Sequence, residues 1–273
     1  MNELIQNIIH YKQEEIRYRK QQVPLRRLRQ VISDRPPTLD FRKALKQNGD
    51  IAVIAEIKRA SPSAGIICHN FDAVEIAESY QRNGAAAISV LTDEKFFGGQ
   101  IGHIPQVRSR IKLPILRKDF ILDPYQLYET RAAGADAVLL IAAILTPSRS
   151  RELLDLAAEL GLAVLFEVHN LEELQISLNQ NCSIIGINNR DLRTMQVNLQ
   201  TTLELASRIP QELVCVSESG LRSRADLEKL SPCGIDAILI GETLMSSPDP
   251  GGLLRKFLGV SRCLRSKSVA SPI

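Results

Sequence analysis

The chain has 273 residues, of which 44% are hydrophobic and 24% are charged, a composition typical of a globular protein with a sizeable core. No apolar run approaches the roughly 18 residues that a membrane span requires, and the N-terminus lacks the basic and apolar regions of a signal peptide. Five cysteines without a CxxC motif favour free thiols in a reducing compartment. We therefore expect a cytoplasmic protein with no membrane partner.

The net charge of +3 is unevenly distributed along the chain. Residues 1–46 contain 11 Lys and Arg against 5 Asp and Glu, so they carry +6, whereas the rest (23 against 26) carries −3. A basic segment attracts anionic ligands or nucleic acid. Because the chain has no Trp and only 4% aromatic residues, it is poorly supplied with side chains on which bases stack. We expect a solvated basic helix face near a small anionic ligand, and no nucleic-acid partner.

The first 48 residues are predicted to be helical. Residues 2–22 combine an apolar stripe with polar residues on the other faces, and Pro24 ends this helix. Two shorter helices are predicted at Leu25–Ile32 and Phe41–Gln47. The stripe consists of Leu4, Ile5, Ile8, Ile9 and Ile16. We therefore expect residues 1–48 to form a helical extension that precedes the main domain.

From residue 49 onward, apolar runs typical of buried parallel strands alternate with helical patterns. The strands are predicted at Ile51–Ile57, Ala87–Leu91, Pro114–Leu116, Ala137–Ile141, Ala163–Val168, Ile184–Ile187, Leu213–Val216 and Ala237–Ile240. The intervening helices include Ala73–Asn83, Pro124–Ala133, Pro147–Leu160, Leu171–Asn179, Leu199–Arg208 and Ser223–Leu230. Eight such units in about 200 residues predict an α/β fold, a closed (β/α)8 TIM barrel over residues 49–258. The basic, Ser-rich tail 259–273 is expected to be disordered.

An open doubly wound sheet is the alternative fold. It would have fewer strands and a Gly-rich phosphate turn after the first, but GxGxxG is absent here. Instead, the junctions GAAAISVL at Gly84, GADAVLLI at Gly134 and GIDAILIG at Gly234 share a Gly, an Ala three residues later and an apolar run. Because these repeats are 50 and 100 residues apart, they favour a barrel built from successive βα units.

Two opposite charges stand at the end of the first predicted strand. Residues two apart on a strand point to the same side, so Glu56 and Lys58 should point together into the barrel. Burying two opposite charges at the end of a strand costs free energy unless they pair with each other or bind a ligand. The polar turn that follows, from Ser61 to Gly65, cannot continue the strand.

Charged side chains also follow other strands, at the end where (β/α)8 barrels build their active sites. Lys118 follows the third strand and Glu167 ends the fifth. Two lysines and at least two carboxylates at one mouth suit acid–base chemistry on an anionic substrate. A second lysine nearby is expected to lower the pKa of a catalytic lysine. The structural alternative is a set of rim salt bridges, but buried rims rarely carry so many charges without a ligand.

Two glycine-containing turns predict a phosphate site. SESG (217–220) and GETL (241–244) follow the last two predicted strands, where backbone N–H groups can bind phosphate oxygens. The four histidines show no metal-ligand spacing, so no metal is predicted. No motif for a covalent nucleophile is present.

Seven motifs, in order, resemble one family: AEIKRASPSAG, LTDEKFFGG, LRKDFILDPYQLYETRAAGADAVLLI, LFEVHN, IIGINNRDL, VSESG and ILIGETLM. Together they are similar to the indole-3-glycerol-phosphate synthases of tryptophan biosynthesis, from the N-terminal helices to about Leu254. The resemblance implies a barrel of the ribulose-phosphate-binding type with helices over its mouth. It implies a carboxy-lyase that closes the indole ring of 1-(2-carboxyphenylamino)-1-deoxyribulose 5-phosphate, losing water and carbon dioxide without a cofactor.

The resemblance also implies residue roles. Lys118 would be the general acid on the substrate carbonyl and Glu167 the acid/base partner in dehydration, with Lys58 and Glu56 assisting. Ser61 and Asn188 would hold the anthranilate carboxylate, and Arg190 would orient the neighbouring loop. Apolar contacts to the ring would come from Phe97, Phe120, Leu139 and Leu192. The phosphate would be held by backbone N–H groups of Ser219, Gly220, Gly241 and Glu242, with the Glu242 carboxylate pointing away.

One departure keeps alternatives open. Ala64 stands where the family's first loop has Lys, so a divergent paralogue acting on a related phosphosugar is one alternative. A catalytically silent barrel that binds phosphate or a partner is another, although intact Lys118 and Glu167 argue against it. The isomerase one step earlier would have a Cys at the end of the first strand, where Glu56 and Lys58 stand instead. We expect a monomer by default.

Overall fold

Eight apolar runs form a closed barrel of parallel strands in the computed structural model, which describes residues 2–46 and 49–265. The strands are β1 Ala52–Ile57, β2 Ala87–Leu91, β3 Ile115–Lys118, β4 Ala137–Ile141, β5 Ala163–Val168, β6 Ile184–Asn188, β7 Val214–Glu218 and β8 Ala237–Ile240. Each strand pairs with its neighbours in sequence, and β1 closes the ring because Ala55 lies opposite both Ile88 and Ile240. The predicted (β/α)8 barrel is confirmed.

Helices precede the barrel and connect its strands. They are α1 Glu3–Gln22, α2 Leu25–Ser33, α3 Phe41–Leu45, α4 Ala73–Arg82, α5 Glu94–Phe97, α6 His103–Arg108, α7 Pro124–Ala133, α8 Pro147–Glu159, α9 Leu171–Asn179, α10 Gln200–Ala206, α11 Arg224–Leu230, α12 Glu242–Met245 and α13 Pro250–Arg255. Two 3₁₀ turns lie at Ala142–Ile144 and Ser231–Cys233, and a small hairpin pairs Ala60–Ser61 with Gly65–Ile66. The predicted end of α3 at Gln47 lies outside the described residues. No described helix is long and apolar enough to cross a membrane.

Local sequence explains where the helices begin and end, as α7 illustrates. The Asp123 side chain accepts the backbone N–H of Tyr125, while the Gln126 side chain accepts that of Asp123. This reciprocal cap satisfies N–H groups that the helix itself cannot pair, and Pro124 fits the first turn. Gly134 ends the helix with φ of 95°, a conformation that side chains with a Cβ rarely adopt.

The period of two along each strand separates two apolar layers. Ala52 and Ile54 of β1 belong to the cluster inside the barrel, whereas Val53 and Ala55 belong to the cluster between the strands and the helices. The same alternation directs Glu56 into the barrel at the C-terminal end of β1.

The N-terminal helices reach both ends of the barrel. Residues of α1 lie at the mouth, where Ile5 and Ile8 are buried. In contrast, Phe41 and Leu45 of α3 join the interior cluster beside the N-terminal ends of the strands, including Ala137 and Ala237. Helix α1 therefore lies at the mouth, whereas α3 closes the opposite end of the barrel.

Two aspartates of the repeated junctions fasten that opposite end. Asp136 accepts the backbone N–H groups of Ile115 and Leu39, and Asp236 accepts that of Cys215. Both carboxylates also form ion pairs with arginines, among them Arg108, Arg262 and Arg265. These contacts join segments that are far apart in sequence.

The C-terminal segment corrects one prediction. Arg265 is buried, pairs with Asp236 at 3.1 Å and donates to the carbonyl of Leu213 at 2.7 Å. Disorder from residue 259 onward is therefore wrong for residues 259–265, because arginine side chains bind them to the base of the barrel. Residues 266–273 lie outside the described part of the chain.

Candidate active site

The C-terminal ends of the strands surround a cavity of about 440 Å³. Every residue that the sequence analysis nominated lines it: Glu56, Lys58, Ser61, Phe97, Lys118, Phe120, Leu139, Glu167, Asn188, Arg190, Leu192, Ser219, Gly220, Gly241 and Glu242. They come from all eight strands or from the loops that follow them, because parallel strands in a barrel bring their C-terminal ends to one face.

Four charged side chains form the centre of the cavity. Lys58 Nζ lies 2.9 Å from Glu56 Oε1, which confirms that these two residues point to the same side. Lys118 Nζ lies 4.0 Å from Glu56 Oε2 and 4.0 Å from Glu167 Oε2. Lys58 is therefore tightly paired, whereas Lys118 lies between two carboxylates without touching either.

The expected lowering of a lysine pKa is wrong for Lys118. Burial lowers the pKa of Lys118, but the carboxylates of Glu56, Glu167 and Glu218 together raise it above that of an ordinary lysine. The three carboxylates outweigh the nearby Arg190, which lowers this pKa. At neutral pH, Lys118 is a cation that holds a proton ready for a basic oxygen.

Glu167 is anionic for the same reason. Its side chain is only 2% exposed, so burial would raise its pKa, but contacts with His169 and with Lys118 lower it. Its Oε2 atom has no hydrogen-bond partner among the described residues. A buried, ionised carboxylate with a free oxygen can accept a proton from a bound molecule.

Glu218 is a cavity residue that the sequence analysis did not nominate. It is buried at the end of β7, and neither carboxylate oxygen has a hydrogen-bond partner among the residues that the structure describes. Burial and the nearby Glu167 raise the pKa of Glu218 to about 8, so it is mostly protonated at neutral pH. Its position in the VSESG turn, at the C-terminal end of β7, was the feature of the sequence that could have identified it as a cavity residue.

Two glycines make room for buried carboxylates. A Cβ atom at Gly186 in β6 would collide with the carboxylate of Glu218, and one at Gly241 would collide with that of Glu56. Glycine in or beside a strand often marks such a close approach. These two positions therefore allow acidic side chains to lie inside a barrel that is otherwise filled.

One wall of the cavity is apolar. The rings of Phe97 and Phe120 lie 6.2 Å apart in a tilted arrangement, and Leu139 and Leu192 extend this surface. Helix α1 adds Leu4, Ile5 and Ile8, which sequence reasoning placed on an apolar stripe but not in the site. Such a wall suits a flat apolar ring.

Polar residues flank the apolar wall on both sides. Ser61 Oγ accepts the backbone N–H of Ala64 at 3.2 Å, so the hydroxyl sits inside the first loop's hairpin. Asn188 Oδ1 accepts the backbone N–H of Arg190 at 3.0 Å, and Arg190 donates to the carbonyl of Met195 at 3.1 Å. Arg190 thereby fixes the loop that follows β6.

The turns after β7 and β8 form the far corner of the cavity. Ser219 and Gly220 have φ of 64° and 86°, a backbone conformation that non-glycine residues rarely adopt and that is common at binding sites. Glu242 begins α12, and its carboxylate lies 4.0 Å from the Arg190 guanidinium. Among the described residues, no group of three or more His, Cys, Asp or Glu is arranged to hold a metal ion.

The fold and the cavity together define a class of protein. A closed (β/α)8 barrel whose mouth combines a cationic lysine, buried carboxylates, an apolar wall and two glycine-containing turns is a barrel enzyme of the acid–base type. The cavity is large enough for a small organic molecule.

Comparison with known proteins identifies the family. A family model described as Indole-3-glycerol phosphate synthase matches residues 5–257, so the chain belongs to the indole-3-glycerol phosphate synthase family. Proteins of that name from Desulforamulus reducens and Dehalococcoides mccartyi strain BAV1 are each 47% identical, covering 90% and 93% of this chain and 93% and 100% of their own. A third, from Rhodopirellula baltica, is 51% identical over 83% of this chain and 88% of its own. The resemblance in the motifs is confirmed.

Solved structures support the fold alone. The 3-hexulose-6-phosphate synthase from Salmonella typhimurium has a TM-score of 0.62 at 12% identity, covering 76% of this chain and 96% of its own. The thiamine phosphate pyrophosphorylase from Pyrococcus furiosus has a TM-score of 0.57 at 15% identity, covering 80% and 96%.

Proposed function

We propose that this chain is an indole-3-glycerol-phosphate synthase of tryptophan biosynthesis. In this reaction, 1-(2-carboxyphenylamino)-1-deoxyribulose 5-phosphate gives indole-3-glycerol phosphate, carbon dioxide and water. Family membership across residues 5–257 supports the assignment. The observation that carries the mechanism is the position of Lys118, 4.0 Å from both Glu56 and Glu167 beside an apolar wall.

In the proposed mechanism, Lys118 donates a proton to the ketone oxygen while the aromatic carbon that bears the carboxylate attacks the ketone carbon. Loss of carbon dioxide returns an electron pair to the ring. The new hydroxyl then accepts a second proton, from Lys58, and leaves as water, while Glu167 takes the proton lost by the carbon beside the nitrogen. Lys58, paired with Glu56 at 2.9 Å, binds the substrate anion and assists the proton transfers. General acid–base groups of this kind contribute about 10²–10⁴-fold in rate.

The substrate would lie across the cavity from the apolar wall to the two turns. Ser61 and Asn188 are proposed to bind the anthranilate carboxylate, with Arg190 fixing the loop between the two ends. The aromatic ring of the substrate would pack on Phe97, Phe120, Leu139 and Leu192. Its phosphate would accept backbone N–H groups of Ser219, Gly220, Gly241 and Glu242, while the Glu242 carboxylate turns toward Arg190.

The reaction as proposed uses no cofactor, because protons and leaving groups balance without oxidation or reduction. We propose a monomer whose partner is the small phosphosugar substrate, with residues 1–48 as an extension and 49–258 as the catalytic barrel. A cytoplasmic location is supported by five cysteines that are all free, since unpaired thiols persist in a reducing compartment.

The test follows the rise of indole fluorescence after the substrate is mixed with purified protein. We expect turnover by the wild type and a loss of about 10³-fold or more with Lys118→Ala. Lys256→Ala, at an exposed lysine that directly follows the last helix, is the matched control and should retain wild-type activity.

Two results would overturn the proposal. Substrate that binds without turnover would favour a divergent paralogue, in which the first loop with Ala64 accepts a related phosphosugar. Absence of binding would favour a catalytically silent barrel. Isothermal calorimetry with the same substrate separates these two outcomes.

A further inference from the structure

A second cavity of about 220 Å³ lies beside the first. Ile5 and Leu192 line both cavities and separate them. Glu167 lines the larger cavity, whereas His169, two residues further along the chain, lines the smaller one. Glu167 and His169 therefore connect the proposed catalytic site to a separate cavity at the same end of the barrel.

The imidazole of His169 lies between two carboxylates. Its Nδ1 atom is 2.9 Å from Glu173 Oε2, and its backbone N–H donates to the same oxygen at 2.8 Å. Its Nε2 atom lies 3.2 Å from Glu167 Oε1, but this contact lacks hydrogen-bond geometry. The side chain is only 8% exposed. A buried ring nitrogen is thus directed at the proposed catalytic carboxylate without being locked to it.

The groups that face the imidazole favour its charged form. Glu167 on β5 and Glu173 on α9 contact it, and Asp191 and Arg193 of the loop after β6 line the same small cavity. Burial would lower the pKa of His169, but the two contacting carboxylates raise it to about 10. At neutral pH, the ring is an imidazolium.

We propose that His169 is a positioning residue that keeps Glu167 ionised and correctly oriented during catalysis, and that Glu173 supports His169 in turn. The proposal rests on the proposed function of Glu167. Neither residue would touch the substrate. Because His169 lines the smaller cavity, protons can reach it while the substrate fills the larger one.

The need for a second cation follows from the chemistry. When Lys118 gives its proton to the substrate, the charge that stabilises Glu167 across 4.0 Å disappears. Glu56 also faces this space, and its negative charge favours protonation of Glu167. The imidazolium at 3.2 Å remains. The imidazolium therefore keeps Glu167 ionised, and so available as a base, at the step where Lys118 has lost its charge.

Loss of the His169 imidazolium shifts the pH profile of kcat in a definite direction. His169 lowers the pKa of Glu167, so removing the imidazolium raises that pKa and moves the acidic limb of the kcat profile to higher pH. Removing Glu173 lowers the pKa of His169, so the imidazolium is lost at a lower pH. The orientation of Glu167 that depends on the imidazolium is then lost there too, which moves the alkaline limb inward. A purely structural role would instead change stability and reduce kcat equally at every pH.

The experiment measures kcat and KM from the lowest pH at which each protein stays folded up to pH 10, for wild type, His169→Asn, Glu173→Gln and the control His10→Asn, whose imidazole is exposed on α1. For His169→Asn, we expect the acidic midpoint to rise by about one pH unit, with about a tenfold lower kcat on that limb and an unchanged KM. His10→Asn should superimpose on wild type. Urea unfolding of each variant checks that it is folded.

Nuclear magnetic resonance of ¹⁵N-histidine in the wild type tests the charge independently of activity. A ring with both nitrogens protonated at pH 7 supports the proposal, whereas a neutral His169 overturns it. A pH-independent loss of kcat in His169→Asn also overturns it. A wild type without synthase activity would instead overturn the proposed function, and the role of His169 in that reaction with it, whatever the charge measured.

Discussion

Two lysines near the barrel mouth, one buried and one partly exposed, are both surrounded by carboxylates but at different distances. Lys12 of α1 is 1% exposed, and its Nζ lies 2.9 Å from both Asp93 and Asp119 and 2.7 Å from Glu15. Lys118 is 20% exposed, and its nearest carboxylates are 4.0 Å away. A lysine in contact with three carboxylates is fixed, whereas one that is loosely surrounded can still bind and protonate a ligand.

The carboxylates show the same difference. Burial would raise the pKa of Asp119, but Lys12 and Arg117 lower it far below its ordinary range, so the charges around Lys12 are matched. Around Lys118, burial and Glu167 raise the pKa of Glu218 to about 8, so one carboxyl group there is held protonated instead of being paired with a cation. Matched charges build structure, whereas unmatched buried charges remain available for chemistry.

The expectation of a solvated basic face on α1 therefore needs correction at one position. Lys12 lies against the loops after β2 and β3, which carry Asp93 and Asp119. Because Asp119 directly follows Lys118, the α1 helix is tied to the loop next to the proposed general acid. The extension stabilises the mouth through this lysine as well as through its apolar stripe.

The largest expected effect is on stability. Lys12→Met would leave Asp93, Asp119 and Glu15 without their common cation and lower the free energy of unfolding by about 3–5 kcal/mol. Lys118→Met should lower the free energy of unfolding by less than Lys12→Met does, because its partners lie 4.0 Å away and Glu56 keeps its contact with Lys58. Urea denaturation at pH 7 measures both.

Lys20→Met is the matched control for this comparison. Lys20 lies on the same helix and pairs with Asp123 at 2.9 Å, but its side chain is 44% exposed, so we expect a loss below about 1 kcal/mol. If Lys118→Met destabilised the protein as much as Lys12→Met, the distinction between a fixed and a loosely held lysine would be refuted.

A smaller effect is expected from filling the space beside Glu218. The added Cβ in Gly186→Ala collides with that carboxylate, so it should destabilise the protein by about 1–3 kcal/mol and lower kcat. The double variant Gly186→Ala/Glu218→Ala should recover much of the lost stability, because the colliding atoms are gone. If the double variant lost as much stability as the two single variants together, the two residues would not compete for this space.

The smallest effect, taken per pH unit, is a slope of stability with pH. Because the folded-state pKa of Glu218 is raised to about 8, its contribution to stability is complete below its unfolded pKa of about 4.3 and is lost as pH rises toward 8. Glu218→Gln removes this loss. The wild type should therefore lose stability relative to the variant by up to about 1.4 kcal/mol per pH unit between pH 5 and 8. Parallel curves of unfolding free energy against pH would contradict the raised pKa.

Much of the barrel could be predicted because the rules that govern it are local. The boundaries of β2, β4, β5 and β8 match the predicted runs at both ends, since apolar runs and turn residues determine where buried strands begin and end. The predicted third strand, in contrast, stopped at Leu116, two residues before its end at Lys118. Charged residues at a strand end resemble a loop until their inward or outward direction is known.

Part of the site could also be predicted, because strand order places residues at one end of the barrel. Parallel strands bring their C-terminal ends together, so Glu56, Lys118 and Glu167 could be placed at one mouth from their positions in the chain. Glu218 was not nominated because its sequence neighbours do not reveal the space that Gly186 leaves on the adjacent strand. The contact of His169 with Glu173 likewise depends on how α9 returns against β5.

By itself, the sequence determined the order of strands and helices, the inward direction of Glu56 and Lys58, and the family. Only the tertiary structure decided that Lys12 is buried among three carboxylates, that α3 closes the far end of the barrel, and that Arg265 binds Asp236. Periodicity fixes which face of an element is apolar. It does not say which distant charge will meet that element, because such contacts depend on how the whole chain packs and on which buried charges find a partner.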